Sequence, residues 1–146
     1  MDKATRRLIA ALFVPAFMIG TDFTGAMMLA LPIERAFSVD ITTTQWVPNV
    51  YALVLAVTCV SGGRLGDMYG HRRFMVIGLG IFLVASIVCT TAPTIGWLIG
   101  ARAVQGLGAA MAWPCILAVG SQSVAEDQRG VAMGLLFGAV AIGNVV

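Results

Sequence analysis

Four apolar stretches, at 8–31, 46–63, 74–92 and 97–120, are each long enough to cross a bilayer, and they leave little sequence for anything else. A span needs about 20 mainly apolar residues, rising about 1.5 Å each, to cross about 30 Å of hydrocarbon. There every backbone N–H and C=O must be satisfied within the segment, so such stretches fold as helices. With 59% hydrophobic and only 11% charged residues, the chain has too little charge to cover a soluble globule. It reads as an all-α integral membrane protein whose surroundings are the lipid bilayer. The basic residues form no stripe of the kind that nucleic acid requires.

Lys3, Arg6 and Arg7 precede the first stretch as they would in a signal peptide, but the run is too long for one and three more spans follow, so it reads as a retained helix. A fifth apolar segment, 131–146, carries no charged stop, and residues 1–146 are expected to be part of a longer protein. Cys59, Cys89 and Cys115 all fall inside spans without paired spacing, and His71 is the sole histidine. They read as small buried side chains, with no metal or cofactor expected. No nucleophile motif is present, and enzymatic activity is not expected.

Lys3, Arg6, Arg7, Arg64, Arg72, Arg73 and Arg129 lie at span ends on one side, against Arg35 on the other. The basic side is expected to be cytoplasmic, which places the N-terminus in the cytoplasm and the protein in a cell membrane, plasma or inner, as a multi-pass protein. In the outer loop, 32–45, Thr42 and Gln45 have the spacing of a capping box, and Trp46 sits where an interfacial aromatic belongs. Pro15 and Pro114 lie deeper in their spans, as kinks or as the ordinary prolines of membrane helices.

The fourth stretch holds Arg102 inside LIGARAVQGLGAA, 98–110. A guanidinium in hydrocarbon costs roughly 2.5 to 3.5 kcal/mol on insertion scales, so Arg102 must face a protein-lined or wet interior. Asp22, in the first stretch, is the candidate partner. Measured from the outer end, Asp22 lies about 14 Å deep and Arg102 about 8 Å, and the difference of about 6 Å is within an arginine's reach. The two are expected to form a pair whose strength changes when Asp22 is protonated. Gly106 and Gly108 permit close helix packing, as do Gly134 and Gly138 in the fifth segment, which continue the spacing of Gly130. An apolar cavity lined by Asn49, Gln105 and Trp113, with Met27 and Met28, is a further expectation.

Between the second and third stretches stands GGRLGDMYGHRR, 62–73, too rich in glycine and charge for a passive linker. Gly63, Leu65, Asp67, Gly70 and Arg72 in this loop resemble the cytoplasmic loop pattern of the major facilitator superfamily of secondary transporters. Met68 and His71 depart from it. Leu98, Arg102, Gln105, Gly106, Gly108, Ala109 and Ala110 match that family's second pattern, and TDFTGAMMLALP, 21–32, is similar to the signature of its fourteen-spanner drug:proton antiporter branch.

The resemblance implies part of the N-terminal six-helix half of a transporter that works by alternating access. Gly63, Asp67, Gly70 and Arg72 would form a gating loop, and Arg102 would support proton transfer, with the proton gradient as driving force. Gly143 would open the antiporter pattern of the fifth span. The expected function is proton-coupled efflux of small amphipathic or cationic organic solutes, carried out with the C-terminal remainder of the transporter. The alternatives are a symporter or exporter of one metabolite, and a truncated protein that binds other helices without moving solute.

Overall fold

A computed structural model describes residues 3–145, and among these there is no strand. The chain runs through α1 (Lys3–Met28), α2 (Ala30–Phe37), α3 (Ile41–Tyr69), α4 (His71–Thr90) and α5 (Ile95–Gln122). A 3-10 turn (Glu126–Gln128) then leads into α6 (Arg129–Gly143). Four of these helices, α1, α3, α4 and α5, are long and apolar enough to cross a membrane.

The helix boundaries follow from local chemistry. Pro32 has no N–H to donate to the Met28 carbonyl, which accounts for the break between α1 and α2. The helical bonds resume around it, from Leu29 N–H to Gly25 and from Ile33 N–H to Leu29. Residues 32–37, expected as loop, are therefore helical, and Ser38 ends α2 in the left-handed conformation with φ 51°. The cap of α3 is Asp40 rather than the Thr42–Gln45 box. Its carboxylate accepts from the Thr43 hydroxyl at 2.6 Å and the Thr43 N–H at 3.3 Å. At the other end α3 runs on to Tyr69, so most of the expected 62–73 loop is helix, and the chain reverses at Gly70, whose φ of 92° suits only glycine. Neither Pro15 nor Pro114 breaks its helix.

The helices meet through glycines. A Cβ on Gly108 would stand 2.6 Å from the Phe82 backbone nitrogen and 2.8 Å from the Gly78 carbonyl oxygen, which locks α5 to α4. One on Gly106 would stand 2.7 Å from the Tyr51 carbonyl oxygen and locks α5 to α3. Gly20 and Gly143 play the same part between α1 and α6, where a Cβ would stand 2.5 Å from the Val140 and Phe17 carbonyl oxygens respectively. Gly134 and Gly138, expected to pack, have nothing within 4 Å of a Cβ among the described residues. The packed face of α6 is instead Ala132, Leu136, Ala139 and Gly143, since residues three or four apart share a helix side. Around α5 the core closes with Ala109, Ala112 and Ile116 against Leu12, Ala16, Tyr51 and Phe82.

Two predictions follow from this packing. Gly106→Ala and Gly108→Ala push a methyl into backbone and should each destabilise the detergent-purified protein by about 1–3 kcal/mol in thermal unfolding. Gly100→Ala, with open space at its Cβ, should leave the melting temperature unchanged or raise it. The Thr43 hydrogen bonds hold the Asp40 carboxyl below the usual carboxylate range. A lowered folded value means the cap stabilises at pH above the unfolded value and is lost as pH falls through the folded one. Hydrogen exchange at the start of α3, corrected for intrinsic rates, should show protection at pH 6 that fades in strong acid, and none of this dependence in Asp40→Ala.

Candidate functional site: a charged cluster beside an aromatic cavity

Arg102 and Gln105 are three residues apart on α5 and so emerge on one face of it, toward α1. Asp22 on α1 meets them there. Arg102 Nη1 donates to Asp22 Oδ2 at 2.7 Å and to Gln105 Oε1 at 3.0 Å. Gln105 Nε2 donates to Asp22 Oδ1 at 2.9 Å, closing a ring of three side chains. The ring fixes the amide's orientation, because turning it over would set an NH2 against the guanidinium and an oxygen against the carboxylate. From α4, the Cys89 thiol reaches Gln105 Oε1 at 3.7 Å.

Burial gives the cluster its character. Gln105 is 1% exposed, and the Asp22 and Arg102 side chains are 18% and 10% exposed. Removing one member of such a pair leaves an uncompensated charge, at a cost of about 3–5 kcal/mol. Small residues make room for it: Ala101, Ala109 and Gly106 flank the polar pair on α5 and are buried. Two polar atoms nearby, Arg102 Nε and the Tyr51 hydroxyl, are buried without a hydrogen-bond partner among the described residues. The Arg102 guanidinium lies over the Tyr51 ring, 6.0 Å from its centroid, at the outer edge of a cation–π contact.

Tyr51 also lines a cavity of about 310 Å³ between α1, α3, α5 and α6. Four aromatic rings stand in its walls among aliphatic side chains such as Ile19, Leu55 and Val140: Phe23 lies 6.3 Å from Tyr51 between ring centroids, and Trp113 meets Phe137 edge-on at 5.7 Å. Asn144 supplies its amide, and it also accepts a hydrogen bond from the Thr24 hydroxyl at 3.1 Å. Of the residues expected to line a cavity, Trp113 does so. Gln105 is engaged in the charged ring instead. Asn49 is exposed and absent from the lining, because two residues along a helix from Tyr51 it faces roughly the opposite way. Met27 and Met28 are likewise exposed. Phe23, Tyr51, Phe137 and Asn144 were not expected in this role. A run of aromatic positions on three different helices gives no local signal of convergence, although the Asp22-Phe23 adjacency placed one of them beside the charge.

At the far end of α3, Gly63 rests against the Pro114 side chain and Gly66 against Cys115. Asp67 is exposed and pairs with His71 Nε2 at 3.1 Å across the Gly70 turn, while Arg72 and Arg73 are exposed at the start of α4. The four residues of the expected gating loop thus lie on the end of α3 (Gly63, Asp67), the turn at Gly70 and the start of α4 (Arg72).

Residues 12–146 match the family model of the Major Facilitator Superfamily. The multidrug resistance protein Stp of Mycobacterium tuberculosis is 37% identical over 99% of this chain and 27% of its own length. The multidrug efflux pump LfrA of Mycolicibacterium smegmatis is 40% identical over 76% of the chain and 22% of its own length. The riboflavin transporter RibZ of Clostridioides difficile is 31% identical over 77% and 25%. The chain therefore spans about a quarter of the length of these curated relatives. With a helical, multi-pass framework, a family match over nearly all its residues and relatives of this similarity, the chain belongs to the Major Facilitator Superfamily.

Proposed function

We propose that this chain is the opening part of a proton-coupled exporter of amphipathic or cationic aromatic solutes, working by alternating access with its N-terminus in the cytoplasm. The observation that carries the reading is the closed Asp22–Arg102–Gln105 ring between α1 and α5. A carboxylate held by a guanidinium inside a bundle is a charge state with two settings. Deprotonated, Asp22 keeps both hydrogen bonds; protonated, it loses its charge and its hold on Arg102 weakens. A step that repositions either helix then changes proton affinity, which is the linkage an exchanger needs.

The adjacent cavity supports the solute class. Aromatic walls and a single amide offer dispersion and cation–π attraction with few directional demands, which favours flat or cationic guests. The names of Stp and LfrA agree with such a class. RibZ, named for one flat solute, keeps a second reading open, that of a single-solute carrier. Asp67, Gly70 and Arg72 would gate the cytoplasmic side, with Asp67 exchanging His71 for a cation of the remaining helices as the halves close.

The test is dye efflux by the full-length protein in liposomes with an imposed proton gradient. Wild-type protein should expel several unrelated aromatic cations, whereas Asp22→Asn and Arg102→Ala should fall to the level of protein-free liposomes. Gradient-driven efflux at wild-type rates in both variants would reject proton coupling through this pair, and efflux of one solute alone would favour the single-solute carrier. Gln105→Leu removes the third side of the ring and leaves the pair, so it should retain efflux with a shifted pH optimum.

A further inference from the structure

Tyr51 lines the aromatic cavity and also faces the charged cluster, with the Arg102 guanidinium 6.0 Å from its ring centroid. It is 2% exposed, and its hydroxyl is buried without a hydrogen-bond partner among the described residues. A buried hydroxyl left unpaired costs free energy, and a guest with an acceptor atom recovers that cost only by bonding to it. The backbone at this point is fixed, because Gly106 of α5 packs against the Tyr51 carbonyl. Movement of the residue is therefore confined to its side chain. Phe23 bounds the ring within the cavity, and Arg102 bounds it on the side of the cluster.

We propose that Tyr51 is a positioning residue that reports occupancy of the aromatic cavity to the Asp22–Arg102 pair. This rests on the reading of the pair as the proton-coupling site. A guest that accepts from the Tyr51 hydroxyl draws the ring toward the cavity and away from the guanidinium. Arg102 then loses the π face that competes with Asp22 for it and is left to the carboxylate alone, so guest binding and loss of the Asp22 proton favour one another. The inference also assigns a selectivity: aromatic cations carrying a carbonyl or ether acceptor should engage the device, and those without an acceptor should only fill the cavity. Among the described residues, the charges that act on Tyr51 are Asp22 of α1 and Arg102 of α5, and the Cys89 thiol of α4 faces the same two. From α6 the cavity receives only apolar side chains and the neutral Asn144.

The experiment measures equilibrium binding of two dyes to full-length protein in detergent across a pH series, with no gradient imposed. Rhodamine 6G has an ester acceptor; tetraphenylphosphonium has none. In the wild type, rhodamine 6G should bind more tightly as pH rises, by at most about tenfold per pH unit for one proton displaced. Tetraphenylphosphonium should show a shallower dependence. Tyr51→Phe keeps the ring and the fold but should flatten the rhodamine 6G profile to that of tetraphenylphosphonium. Tyr51→Leu, which removes the ring, should abolish the pH dependence for both while binding persists. A purely structural role would weaken binding of both dyes at every pH and leave the slopes intact, and that result overturns the inference. Wild-type slopes in both Tyr51 variants overturn it too, while loss of slope in Asp22→Asn leaves the proton reading standing. Slopes that survive in Asp22→Asn remove the proton reading and this inference together, as does a wild type that binds neither dye.

Discussion

Placing a carboxylate, a guanidinium and an amide inside an apolar bundle is tolerable only when the three groups hydrogen-bond to one another. Here Asp22 receives one bond from Arg102 and one from Gln105, and those two are joined to each other. That closure sets demands on the rest of the molecule. The helix carrying Asp22 must lie against the helix carrying the other two, at matched depth, and the surrounding side chains must be small enough to permit it. The alanines and glycines of α5 meet the second demand, and the buried core around Ala109 and Ile116 meets the first.

Glycine does in this bundle what side-chain interdigitation does in a soluble core. Lipid tails are as apolar as leucine, so helix association rests on contact area and close backbone approach rather than on the hydrophobic effect. Gly106 and Gly108 face different neighbours although they are only two residues apart, so one short stretch of α5 anchors both α3 and α4. The mutual approach of Gly78 and Gly108 shows the same economy from the other side.

How far the amino-acid sequence discloses this arrangement depends on the range of the signal. Arg102 inside an apolar run is a strong signal because its cost is large, and the depth of Asp22 along its own span was enough to predict the meeting. The helical spans were legible for the same reason, since length and hydropathy are properties of a single segment. Signals shared between segments were not. The spacing of Gly130, Gly134 and Gly138 marks a smooth helix side but not which side is used, and the structure packs the face of Leu136 instead. The cavity escaped in part because Thr24 and Asn144, which meet at 3.1 Å beside it, are separated by nearly the whole chain. The stretch 62–73 reads as a loop because its glycines and charges interrupt the apolar run, yet α3 continues through Gly62 and Gly66, whose close contacts with α5 need the absence of a side chain.

A single nitrogen, Arg102 Nη1, serves both Asp22 and Gln105. Rotating the guanidinium away therefore vacates two acceptors in one movement and leaves Gln105 Nε2 as the member of the ring still bonded to Asp22. Because both bonds leave from one atom, neither is given up alone when that atom moves, and the two contacts behave as a single joint between α1 and α5.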